Sequence, residues 1–140
     1  MAKNKKHSED KFYTKINIVQ DLLKHIDFDL FDLVIEPSAG NGSFSNNIKH
    51  NNILSFDINP ENENITKMNW FYFDCSKYNY EKCIVVGNPP FGVQGDLAIK
   101  FMIKCSEINV NTIAFILPKS FKKHTLQNRI PLNYHLVKEI

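Results

Sequence analysis

Arginine is nearly missing from this chain: Arg129 is the only one among its 17 lysine and arginine residues. Lysine, asparagine and isoleucine are plentiful instead, a bias read as AT-rich coding rather than as a functional tract. The formal net charge of +2 is too small to demonstrate a nucleic-acid partner. No stretch approaches the ~18 uninterrupted apolar residues of a membrane span, so no membrane contact is expected. The N-terminus, Met1-Ala2-Lys3-Asn4-Lys5-Lys6, is basic but has no apolar core, which excludes a signal peptide. Cysteine is scarce as well. Cys75, Cys83 and Cys105 are odd in number and lack metal-type spacing. They read as reduced thiols of a cytoplasmic, or cytosol-like, compartment, and no metal site is expected. Internal repeats and interdomain linkers are missing too.

What remains suffices for one domain. The 140 residues are 43% hydrophobic and 23% charged, as in an ordinary globular protein with a single core. The expected organisation is a flexible basic N-terminus over residues 1–10 and one domain over 11–140. A helix is predicted from Ser8 to near Asp27, because Ile16, Val19, Leu22, Leu23 and Ile26 recur at helical spacing. Leu33-Val34-Ile35-Glu36 reads as a first strand, followed by a glycine-bearing turn and a short helix from about Ser43 to His50. Asn52 to Asp57 reads as a second strand, and Asn59 to Asn64 as a polar loop. Ile65 to Asn69 makes a weak third strand before the aromatic run Trp70-Phe71-Tyr72-Phe73. Cys83 to Gly87 is a fourth, apolar throughout. Asp96 is placed to cap a helix with Leu97, Phe101, Cys105 and Ile108 on its buried face. Thr112 to Leu117 is a fifth strand stopped by Pro118, and Tyr134 to Ile140 a sixth. Strands that are apolar throughout and alternate with crossovers indicate a parallel sheet covered on both faces, a doubly wound α/β fold. Ligands of such sheets sit beyond the carboxyl ends of the strands, where Glu36, Asp57, Asn69 and Asn88 all fall.

The stiffest of those ends is Asn88-Pro89-Pro90-Phe91. Prolines donate no ladder hydrogen bond and restrict the residue before them, so this tetrapeptide holds its polar groups in fixed directions. Plain strand-ending turns are built from the same residue types. The turn Glu36-Pro37-Ser38-Ala39-Gly40-Asn41-Gly42 has two glycines rather than the three of a dinucleotide fingerprint, and an acid precedes it. That charge repels a diphosphate and suits a cofactor with an ammonium and a neutral ribose. Asp57 can accept both ribose hydroxyls.

An acid at the first strand end, a Gly-x-Gly turn and an acid at the second strand end together resemble the class I S-adenosylmethionine-dependent methyltransferases. With Asn88-Pro89-Pro90-Phe91 the chain is most similar to the adenine-N6 type of amino-methyltransferase, gamma arrangement, and to small stand-alone methyltransferase-like proteins of bacteria and giant viruses. The likeness covers roughly residues 12 to 137. It implies a mostly parallel Rossmann-like sheet, here stopping at the sixth strand and lacking the usual seventh: either the chain is C-terminally shortened or the open edge is covered another way, by self-association or a protein partner. It implies S-adenosyl-L-methionine as cofactor, held by Glu36, Ser38, Ala39, Gly40, Gly42 and Phe44, by Asp57 and Ile58, and by Asn69 and Trp70. Asp74 is the alternative to Asn69 for the cofactor's adenine amino group. Tyr13 and Thr14 would approach the methionine end, although Lys15 stands where that motif carries proline.

The implied catalytic residues are Asn88, Pro89, Pro90 and Phe91. The Asn88 oxygen and the Pro89 carbonyl accept the two amino hydrogens of a target base, and Phe91 stacks on it. Gly92-Val93-Gln94-Gly95 reads as a lid over the target pocket. Lys119, Lys122, Lys123, His124 and Arg129 follow the fifth strand; they read either as contacts to RNA or DNA phosphates or as a solvated basic loop. No target-recognition domain is expected, so sequence-specific reading of a duplex would need a partner. Rival expectations are methylation of a protein glutamine or of guanine N2 in rRNA, and a catalytically inactive module that binds S-adenosylmethionine or nucleic acid. A nucleotide-phosphate binder is disfavoured by Glu36.

Overall fold

Five parallel strands in the order β3-β2-β1-β4-β5 form the centre of the molecule. The computed structural model describes residues 14–140. In chain order these give helix α1 (Ile16–Leu23), β1 (Leu33–Glu36), β2 (Ile53–Asp57), β3 (Thr66–Lys67), β4 (Cys83–Gly87), helix α2 (Asp96–Glu107), β5 (Thr112–Phe115) and the single turn α3 (His124–Gln127). Every residue of β1 and β4 is buried, because both faces of the central strands are covered. Their side chains divide by the period of two that a strand imposes. Leu33, Ile35, Cys83 and Val85 pack with Phe101 and Cys105 of α2, with Ile108 just past its end, and with the aromatic rings of Trp70 and Phe73. Val34, Ile84 and Val86 pack on the other face with Val19 and Leu23 of α1 and with Phe44 and Ile48. The result is a Rossmann-like α/β sandwich, as the strand pattern predicts. Among the described residues no helix is long and apolar enough to cross a membrane.

The topology fixes where a ligand belongs. From β1 the chain moves outward through β2 to β3, then returns past β1 to β4 and leaves the other way to β5. The reversal lies between β1 and β4, and the crevice of a doubly wound sheet opens at the carboxyl ends of such a pair. Gly87 ends β4 with φ +146°, and a side chain there would come 3.6 Å from Cγ of Glu36. The two strand ends therefore meet.

Several boundaries differ from the sequence-based expectation. Tyr134 to Ile140 is not a strand, and among the described residues nothing pairs with the outer edge of β5. Other partners draw this segment away: the Tyr134 hydroxyl donates to the Val110 carbonyl at 2.6 Å, Ser106 Oγ donates to Asn133 Oδ1, and Glu139 pairs with Lys122. The helix expected over Ser43 to His50 shrinks to one 3-10 turn, Ser45–Asn47. Here Asn41 Oδ1 accepts the Ser43 amide, Asn47 Nδ2 donates to the Ser43 carbonyl, and such local bonds compete with helix propagation. Asp96 is the first residue of α2 rather than its cap. Gly95 takes the cap position in a left-handed conformation, and the Phe91 carbonyl accepts from the Leu97 and Ala98 amides. The helix expected from Ser8 to near Asp27 is found only as Ile16–Leu23, Thr14 and Lys15 before it being non-helical; residues 8–13 of that expectation, the basic segment 1–10 and Tyr13 lie outside the described residues.

Candidate functional site

At the end of β1 the Glu36 carboxylate is only 1% exposed. Its Oε2 accepts the Ser45 amide at 2.9 Å, and the Phe44 amide also bonds to the carboxylate. Burial pushes this carboxyl up to about 7, against the hydrogen bonds from Ser45 and Phe44, while the charge of Asp57 pushes the same way as burial. At the end of β2, Asp57 is divided between two loops. Its Oδ2 accepts the Gly40 amide at 2.7 Å and its Oδ1 accepts the Asn59 amide at 2.8 Å. One carboxylate thus ties the glycine turn to the strand that follows it.

The turn itself is held on several sides. The Ala39 amide donates to the Phe56 carbonyl at 2.8 Å, the Gly42 amide donates to the Ala39 carbonyl, and Asn62 Nδ2 donates to the Asn41 carbonyl at 2.9 Å. Gly40 has φ +55°, a conformation that L side chains rarely adopt, and nothing lies within 4 Å of where its side chain would be. The Gly40 amide is the one that Asp57 Oδ2 holds, and Ser38, two residues earlier in the turn, is half-buried. Ile58, the residue after Asp57, is 54% exposed.

Not every residue the sequence put at this site turns its side chain to it. Phe44 is buried in the α1 layer of the core, and Trp70 is 1% exposed, with its indole N–H donating to the Phe101 carbonyl at 3.3 Å. Both side chains are enclosed by protein, so a ligand meets their backbone or nothing. Asn69 lies two residues past β3. The Met68 amide donates to the Asp57 carbonyl, and Asn69 Oδ1 accepts the Phe71 amide at 3.0 Å, capping the turn Trp70–Tyr72. Asp74 lies one turn further on, exposed, where Ser76 holds its carboxyl below the usual range. Of the two, Asn69 is the one next in sequence to Met68, whose amide reaches Asp57.

On the other side of the reversal, Asn88 is half-buried beyond β4. Its Nδ2 donates to Thr14 Oγ1 at 3.0 Å. Pro89 is buried and Pro90 exposed, while Phe91 is half-buried against Ala98, Met102 and Phe121. The segment after it is tightly built: Gly92, Gln94 and Gly95 all have positive φ. A side chain on Gly92 would meet Leu97 Cβ at 2.7 Å, and one on Gly95 would meet the Phe121 ring at 2.8 Å. Val93 stands out from this loop, 83% exposed.

The basic residues after β5 divide. Arg129 is taken up by Asp96 at 2.6 Å and Lys122 by Glu139 at 2.5 Å. Lys119 and Lys123 are exposed and have no ion-pair partner among the described residues. Ser45, Asn59 and Asn62, which fix the two acids and the glycine turn, were not singled out from the sequence. Their asparagine-rich context was the available signal, since Asn side chains habitually bond nearby backbone in loops.

No family model, no curated protein and no solved structure matches this chain.

Proposed function

We propose that the chain is an S-adenosylmethionine-dependent amino-methyltransferase that acts on the exocyclic N6 of adenine in RNA or DNA. The observation that supports it most is the arrangement around the strand reversal. Two acids and an open glycine turn stand on one side, and a proline-stiffened asparagine amide stands on the other. The donor set suits the cofactor's groups. Asp57 retains acceptor capacity for ribose hydroxyls beside the space at Gly40, Ile58 offers an apolar surface for an adenine ring, and Asn69 offers an amide. The Glu36 carboxyl, raised to about 7 by burial, gains by ionising beside a cationic ligand and would oppose a diphosphate.

When bound, the cofactor supplies an electrophilic methyl group. The chain's own contribution is positioning and electrostatics. Asn88 Oδ1 and the Pro89 carbonyl accept the target's two amino hydrogens, which draws that nitrogen toward tetrahedral geometry and frees its lone pair. Phe91 borders the target ring. A strong general base is unnecessary, because the nitrogen becomes acidic only once alkylated. A base within a duplex must first be flipped out, at a few kcal/mol. Lys119 and Lys123 supply positive charge for the adjoining phosphates.

The test is incubation with methyl-labelled S-adenosylmethionine and separate RNA, DNA and protein fractions, followed by identification of the labelled product. Label in N6-methylated adenine is expected. Label confined to glutamine or to guanine would replace the substrate assignment.

A further inference from the structure

We propose that a cationic ligand entering the crevice displaces a proton from Glu36, so that this carboxyl is neutral in the free protein and charged in the complex. This inference rests on the function proposed above and concerns what happens at the same site when its ligand arrives. Glu36 is 1% exposed, and among the described residues it has no ion-pair partner. The groups that face it come from three elements. β2 presents Ser55, its partner in register, and Asp57, whose charge opposes a second carboxylate. The turn presents the Phe44 and Ser45 amides and the Ser45 hydroxyl, and β4 ends beside it at Gly87. An enclosed carboxylate with a like charge nearby and no cation gives up its charge rather than bear the cost of burial. Burial outweighs the hydrogen bonds here, and the carboxyl of the free chain stands at about 7.

Gly87 gives a cation its approach. A side chain there would meet Glu36 Cγ at 3.6 Å and, its chain neighbours aside, no other atom within 4 Å. The missing side chain therefore leaves open space against the stem of the buried acid, at the reversal between β1 and β4 where a ligand belongs. A positive group placed there acts on Glu36 through little intervening water, and an opposite charge at close range draws a carboxyl below its isolated value. The proton then leaves for solvent, and the new carboxylate is held by the cation and by the two amides. A ligand without positive charge offers no such compensation and leaves the proton in place. Selection between charged and uncharged ligands is thus tied to pH. Below 7 the protonated acid must first be ionised, so affinity for a cation falls as pH falls; above 7 the carboxylate is already formed and the dependence vanishes.

The experiment is calorimetric titration of the wild-type chain at pH 6 and pH 7, each in two buffers of different ionisation enthalpy, so that the difference in heat counts protons. Two probes are compared. S-adenosylmethionine carries a sulfonium and an ammonium, and 5′-methylthioadenosine has the same adenine, ribose and sulfur without either charge. At these pH values an α-amine of ordinary basicity, about 7.7–8.0, stays mostly protonated. S-adenosylmethionine is expected to release about 0.9 proton at pH 6 and about half a proton at pH 7, and to bind about five-fold more tightly at pH 7. 5′-Methylthioadenosine should release none and bind equally at both. Glu36→Gln should bind S-adenosylmethionine without proton release and without the pH dependence. Binding of S-adenosylmethionine with no proton release would overturn this inference and leave the cofactor reading standing; so would equal release with both probes, or release that persists in Glu36→Gln. If neither probe binds, the cofactor reading itself falls, and this inference with it. Should the variant fail to fold, the two probes on wild type decide the question alone.

Discussion

Replacing Glu36 with glutamine should change how the protein's stability depends on pH, by an amount that the burial of this residue sets. The carboxyl is raised from its ordinary 4.5 to about 7 in the folded chain. Below pH 4.5 it is protonated in both the folded and unfolded states and imposes no pH-dependent cost. Between 4.5 and 7 the unfolded chain releases the proton while the folded chain keeps it, so stability falls as pH rises. Above 7 the full difference has been lost, about 3 kcal/mol for a shift of roughly 2.5 units. Glutamine does not titrate. Its oxygen can still accept the Ser45 amide, but it has one acceptor atom where the carboxylate has two, which adds an offset independent of pH. The informative quantity is therefore the difference between Glu36→Gln and wild type, followed from pH 4 to 8 by urea denaturation. Trp70, the only tryptophan and buried, is the fluorescence probe. Carboxyls held below their usual range, such as Asp32 and Asp96, give the opposite slope but are common to both proteins and cancel. The variant should gain about 3 kcal/mol relative to wild type across the window 4.5 to 7. A difference that stays flat there, or that falls, would refute the assignment of a buried, raised carboxyl at this strand end.

Lys122→Glu combined with Lys123→Glu should weaken nucleic-acid binding and flatten the slope of log affinity against log salt by about one to two, read by titration at several salt concentrations. The lower figure is favoured because Lys122 is already paired with Glu139. An unchanged slope would remove this loop from the interface. Gly92→Ala combines positive φ with a side chain 2.7 Å from Leu97 Cβ, whereas Gly40→Ala meets no atom within 4 Å. Thermal melting should place Gly92→Ala at the upper end of about 1–3 kcal/mol of destabilisation and Gly40→Ala at the lower end.

Legibility in the sequence tracked how much of the information was local. β1, β2 and β4 are short apolar runs bounded by turn residues, and the structure keeps them within a residue of expectation. α2 was legible from its apolar spacing, although its cap was not, because the carbonyl that satisfies its first amides comes from Phe91 across a loop. Tyr134 to Ile140 has the residue types of a strand, but a strand needs a neighbour, and the side chains of Tyr134 and Glu139 are engaged elsewhere. The placement of Glu36, Asp57 and Asn88 at strand ends follows from the parallel pattern alone. What could not be read was which groups those residues hold. The bonds from Ser45 to Glu36, from Gly40 to Asp57 and from Asn88 to Thr14 join positions 9, 17 and 74 residues apart. The enclosure of Phe44 and Trp70 was hidden for the same reason: an aromatic residue beside a glycine turn or a strand end suits a core as well as a ligand.

The central claim, a methyl-transfer site that grips an amine through Asn88, is tested most directly by comparing wild type with Asn88→Ala in label transfer from S-adenosylmethionine to RNA and DNA, with nucleoside mass spectrometry of the product and calorimetry of cofactor binding on both proteins. Wild type should yield N6-methylated adenine, and the variant should lose at least about a hundred-fold in transfer with its cofactor affinity left intact. Undiminished transfer by Asn88→Ala would contradict it.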